Sequence, residues 1–296
     1  MMMFSSAAAV VEDTNLSRAW AHAFLRIIDG SGKEIQPLLF SLCGFPEDGV
    51  PAEDEGIRAA LDAALDASGL DQVHTVANTV FPESIWHRAR GDRRKFYEMY
   101  REALPRLVGM DKNKRNNRGT YFSRLIAWDI NPKTGKRLEH VPEGAVPNNG
   151  NQLEWIITQY SNRAGVRRSM FRASVFDPAR DHVPQAQLGF PCMQDLSFVP
   201  RKEDGVLAVN ATYPTQQLFS KAYGNLLGLC RLGAFMAGEM NLRLGRVNCF
   251  VGIEKLDEPG KTAEVLKPVI ASARGAVAAP PTTIAAKAAI NGEDEE

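Results

Sequence analysis

Cys192 stands behind a proline in Gly189-Phe190-Pro191-Cys192-Met193-Gln194-Asp195, ahead of the alternating run Leu196-Ser197-Phe198-Val199. Arg167 and Arg168 lie 25 and 24 residues before it, and Asn225 lies 33 residues after it. A cysteine thiolate is a strong nucleophile once ionised, so cations near it matter. Adjacent arginines offer planar, permanently charged donors suited to a phosphate monoester. The chemistry these residue types could perform is covalent attack on a substrate that carries an anionic handle. The plainer readings are an inert buried thiol, a common state for free cysteine, and two solvated arginines beside a loop.

The rest of the chain must position these groups. It has 296 residues with 35 basic and 35 acidic side chains, so no net charge steers it to nucleic acid or a membrane surface. The basic loop 112–118 lacks interleaved aromatics, and nucleic acid is not expected as a partner. A hydrophobic content of 44% suits a globular protein with a substantial core. Cys43, Cys192, Cys230 and Cys249 show no paired C-x-x-C spacing, which argues against a zinc site or redox pair. No metal is expected. No apolar run reaches the roughly 20 residues that span a bilayer, and the start lacks a secretory pattern. A reduced cytoplasmic setting follows.

Residues 1–14 read as a flexible leader, 15–257 as a single domain and 258–296 as a mostly disordered tail. The apolar runs 20–28 and 37–45 read as strands around an Asp29-Gly30-Ser31-Gly32 turn. Helical spacing marks 53–68, with Gly69 as its stop, and 93–107, with Asp92 as N-cap. Residues 111–118 read as a loop, 121–128 as a strand and 151–160 as a short helix. Strands are expected at 169–176, 194–199 and 206–212, the last two as a hairpin. A long buried helix is expected over 216–244 and a last strand over 247–253.

A thiol behind a proline, a hairpin, and an Asn opening a buried helix resemble the layout of the thymidylate synthase family. The resemblance runs over about residues 79–257, and Gly245 sits at a further matching position. Tyr121, in Arg118-Gly119-Thr120-Tyr121-Phe122, resembles the family's tyrosine at the pocket wall, although the family's second glycine is Phe122 here. Arg167 and Arg168 resemble the arginine pair that reaches across a dimer to the partner's nucleotide phosphate. Pro82-Glu83-Ser84-Ile85-Trp86 resembles the helix that carries the family's proton-relay glutamate. The resemblance implies an α/β (α+β) fold with a mixed sheet core covered by helices, and a homodimer formed through the sheet. It also implies that Cys192 attacks C6 of a pyrimidine, that Glu83 moves protons, and that Asn225 reads a uracil-type ring.

The chain departs from the pattern elsewhere. Pro214 occupies the place of an arginine that binds phosphate and polarises the thiol, and Gln217 that of an aspartate that holds folate. Lys255-Leu256-Asp257 stands where the family grips the sugar, and Lys255 is a candidate replacement for lost positive charge. The implied carbon donor is methylene-tetrahydrofolate, with its contacts depleted. The expectation is a pyrimidine-nucleotide C5 one-carbon transferase that methylates or hydroxymethylates its base. The competing expectation is a catalytically weak nucleotide-binding or regulatory protein on the same scaffold.

Overall fold

The computed structural model describes residues 8–110, 116, 118–142, 144, 147–163, 165–184 and 190–279. The chain begins with β1 (Ala9–Asp13), α1 (Leu16–Asp29), β2 (Glu34–Ile35) and β3 (Leu38–Cys43). Five helices follow: α2 (Glu55–Ala67), α3 (Val73–Val80), α4 (Glu83–Ala89), α5 (Arg93–Met110) and α6 (Tyr121–Ile126). Next come α7 (Gln152–Asn162), β4 (Arg172–Ser174), α8 (Pro178–Asp181), β5 (Asp195–Arg201) and β6 (Val206–Gln217). The described chain ends with α9 (Tyr223–Glu239), β7 (Arg243–Lys255) and α10 (Lys267–Ala278).

The strands form one mixed sheet in the order β1-β3-β7-β6-β5-β4, with β2 paired to the end of β7. β1–β3 and β6–β7 are parallel pairs and the others antiparallel. β5 and β6 make the expected hairpin, and α9 is the crossover that returns the chain from β6 to β7. Burial alternates along β6, with Leu207, Val209, Ala211 and Tyr213 inward and the residues between them half-exposed. One face is therefore covered, by α9 over β6 and β7 and by α1 over β1 and β3. The fold is mixed α/β with a sheet core flanked by helices, as expected.

Several local expectations change, among them the strand expected at 169–176, which is only Arg172–Ser174. Residues 20–28 belong to α1, because Leu16, Ala19, Trp20, Ala23, Phe24 and Ile27 recur at helical spacing and are all buried. Asn15 caps that helix by accepting from the Arg18 amide at 3.1 Å. Residues 121–126 form a helix instead of a strand, with Thr120 accepting from the Ser123 amide. The leader overlaps β1, where residues 9–13 pair with β3, while residues 1–7 lie outside the described residues. The tail expected to be disordered from 258 holds α10, which packs on α1 and α2 and buries Val269 and Ala273. Residues 280–296 lie outside the described residues, as does most of the loop expected at 111–118.

The segment expected as one helix over 216–244 falls in four elements, the last being the start of β7 at Arg243. Strand β6 continues to Gln217, a π-helical turn spans Leu218–Ala222, and α9 follows. Asp257 pins the turn by accepting from the Phe219 and Ser220 amides at 3.0 and 3.3 Å. Trp20 donates its indole N–H to the Leu218 carbonyl at 3.0 Å. Such turns recur at functional positions because they shift every following side chain relative to the strand before. Gly224 and Gly228 then let α9 lie against α3, since a Cβ at either would fall 2.5–2.6 Å from Val76 or Val80.

Candidate functional site

Cys192 is the exposed cysteine of the four, whereas Cys230 and Cys249 are buried and Cys43 is intermediate. Its flanks, Pro191 and Met193, are buried, so the loop dips into the core on either side of the thiol. Gln194 holds the loop in place. Its Nε2 donates to the Pro191 carbonyl at 2.7 Å, and its backbone N–H donates to Thr212 on β6 at 2.9 Å. The Tyr213 hydroxyl donates to the Met193 sulfur at 3.4 Å. A short helix earlier in the chain, α6, brings Tyr121 to the same place, edge-on to Tyr213 with ring centroids 6.3 Å apart.

The electrostatics of this corner are dominated by low solvation. Burial pushes the Cys192 thiol up, and Lys221 on the π-turn opposes that shift. The residue reaches solvent while its surroundings are poor at stabilising a thiolate. Burial also pushes the Tyr121 hydroxyl up, with Cys192 adding to the effect and the backbone amides of Met193 and Cys192 opposing it. Tyr213 is raised further by its burial and by Tyr121, Cys249, Cys192 and Glu254. Lys221 is itself engaged with Asp71 at 3.1 Å.

The other expected site residues fall in several places. Asn225 is buried at the third position of α9 and makes no side-chain hydrogen bond among the described residues. Glu83, the first residue of α4, pairs with Arg231 of α9 at 2.9 Å. Arg231 also meets His74 Nδ1 at 3.0 Å, and burial followed by Arg231 pushes His74 below its ordinary value. Arg167 and Arg168 are exposed before β4 and form no ion pair among the described residues. Arg168 lines an open cleft of about 230 Å³ with Tyr160, Arg163, Phe171 and Lys202, instead of facing Cys192. Gln217 and Lys255 are register partners at the exposed end of β6–β7, where Gln217 accepts from Ser220 at 3.3 Å and Lys255 approaches Glu34 at 4.0 Å.

Four residues at this corner were missed by sequence reasoning: Lys221, Tyr213, Gln216 and Glu254. Glu254 carried a readable signal, since a carboxylate stands inside an apolar run that the structure makes strand. Lys221 carried none, because its approach to the thiol depends on the π-turn. Among the described residues no group of His, Cys, Asp and Glu could hold a metal ion, and no helix is long and apolar enough to cross a membrane. No family model matches the chain, and no curated protein matches it.

Proposed function

We propose that this chain is a pyrimidine-nucleotide C5 one-carbon transferase of the thymidylate synthase type, working through a covalent bond between Cys192 and C6 of the base. The observation that carries the reading is the Cys192 corner. One exposed thiol of four stands on a loop fixed by Gln194, with the Tyr121 hydroxyl and Lys221 within electrostatic reach. Addition of sulfur to C6 turns the ring into an enolate whose C5 attacks a one-carbon electrophile. Tyr121 forms part of the pocket wall, and Asn225, buried near the start of α9, reads the ring edge. Glu83, paired with Arg231, serves as the proton-accepting carboxylate in this scheme.

Arg167 and Arg168, exposed and without an ion pair among the described residues, suit a clamp on the phosphate bound by a partner copy, so the reading includes a homodimer in the cytoplasm. Methylene-tetrahydrofolate is the carbon donor in this scheme, with Gln217 at the carrier's end. The test is incubation with 5-fluoro-deoxyuridine monophosphate, with and without methylene-tetrahydrofolate, followed by mass spectrometry. A stable mass increase on Cys192 that is lost in Cys192→Ala is the expected result. Full turnover by Cys192→Ala would remove the mechanism.

A second reading, a nucleotide-binding or regulatory protein without turnover, draws on two observations. The thiol is pushed up by burial, and Pro214 puts no charge beside it. This reading expects a calorimetric signal with deoxyuridine monophosphate and no adduct.

A further inference from the structure

At the far end of β5 from the thiol, three segments of the chain enclose the open cleft of about 230 Å³. The end of α7 brings Tyr160 and Arg163, and the residues before β4 bring Val166, Arg168 and Phe171. The β5–β6 hairpin brings Pro200, Lys202 and Glu203. Five strand rises separate Asp195, just after the thiol loop, from Pro200, which is about 17 Å. The cleft is therefore a different place from the Cys192 corner.

Its floor is apolar. Phe171 and Pro200 are buried, and Tyr160 meets Phe171 edge-on with ring centroids 6.0 Å apart. Its rim is cationic, with Arg163, Arg168 and Lys202 exposed against one carboxylate, Glu203. None of these three cations forms an ion pair or a side-chain hydrogen bond among the described residues. Lys202 Nζ rests over the Tyr160 ring, 4.8 Å from its centroid. The neighbouring Arg172 and Arg201 are paired, with Asp195 at 3.1 Å and with Asp204 at 2.6 Å. The negative end of the α7 dipole accounts for a cation at Arg163. It does not account for Arg168 and Lys202, which arrive from other segments and border the same space.

Three cations and one carboxylate leave two uncompensated positive charges above an apolar floor. A phosphate monoester carries about 1.5 to 2 negative charges at neutral pH, with three oxygens for guanidinium and ammonium donors. The cleft is smaller than the roughly 300–1,000 Å³ of sites for drug-sized ligands, so the organic part must be short. We infer that this cleft binds a small phosphomonoester, its phosphate held among Arg163, Arg168 and Lys202 and its organic part laid on Val166, Tyr160 and Phe171. The inference goes beyond the reading of Cys192 and does not depend on it. Arg168 is common to the cleft and to the dimer clamp, whereas Arg163 and Lys202 belong to the cleft alone and carry the test.

Phenyl phosphate titrated into the full chain by calorimetry, at neutral pH and physiological salt, should bind once per chain. Benzyl alcohol, which lacks the charge, should give no signal. Inorganic phosphate should bind about tenfold more weakly, because it leaves the floor bare. Arg163→Gln combined with Lys202→Gln should weaken phenyl phosphate by about tenfold or more, and Lys202→Arg should hold it within about twofold of wild type. Arg94→Gln, which changes an exposed arginine on α5, should leave the affinity unchanged. Both substituted positions are exposed, so circular dichroism should show an intact fold in every variant. Absence of binding, wild-type affinity in the double variant, or an equal loss in Arg94→Gln would each overturn the inference. So would equal binding of benzyl alcohol or of inorganic phosphate. None of these outcomes bears on the adduct at Cys192, which is measured separately.

Discussion

Two buried polar pairs flank the sheet, and they are built in opposite ways. Arg124 and Asp181 are 1% and 0% exposed at the side chain and joined at 2.6 and 2.9 Å by two parallel bonds. Asp181 also accepts from the Asp177 amide, and Arg124 also donates to the Val175 carbonyl, each at 2.9 Å, while Arg124 Nε has no partner among the described residues. Gln216 and Glu254 are as deeply buried, and their side chains have no hydrogen-bond partner among the described residues. The first pair ties α6 to α8 and to the residues after β4. The second holds nothing to anything. A buried polar group without partners costs about 1–3 kcal/mol, so a fold keeps one where it has another use. The contrast teaches that burial alone does not mark a group as structural; direct pairing does.

The largest effect should come from breaking the bidentate pair. Asp181→Ala strands the Arg124 guanidinium in the interior and should lower stability by about 3–5 kcal/mol, read from denaturant unfolding. The opposite sign is expected at the open pair. Replacing Gln216 with Met and Glu254 with Leu together removes four unsatisfied atoms and should raise stability by about 1–3 kcal/mol. A destabilisation equal to that of Asp181→Ala would break the comparison, because it would mean that buried water saturates the open pair.

How much of this was legible depends on how local the cause is. The helices α2, α5 and α7 could be read because spacing and caps coincide: Asp54, Asp92 and Asn151 each accept from an amide three residues on. The hairpin and β7 were legible for the same reason, through alternation. The α1 helix was misread because its apolar residues are dense enough to hide their period, and Asn15 was the overlooked sign. The tail helix α10 was missed because its few apolar residues count only against α1 and α2. Within the site, Cys192 and Tyr121 stand close together. Gln216 and Glu254 could not be placed, because their inward turn needs two strands to shift phase together.

Between the closed and open pairs lies a third, Lys221 with Asp71, which is partly exposed and faces the thiol. It offers the finest test of the contrast, since its charge acts on chemistry more than on stability. The Cys192 thiol sits above its ordinary value in the fold, and Lys221 is the group that pulls it back down. Lys221→Met should therefore move the thiol higher still. The thiolate is the reactive form, so alkylation by iodoacetamide at neutral pH should slow by about threefold, a modest factor because the ammonium is partly screened by solvent. The midpoint of the pH profile should shift toward alkali, and the rate above that midpoint should match wild type. Removing the partner instead, with Asp71→Asn, should act in the other direction, because a carboxylate no longer offsets the ammonium charge felt at the thiol. Equal profiles for wild type and Lys221→Met would mean that solvent screens the ammonium fully, leaving the thiol to be tuned by the buried side of the sheet alone.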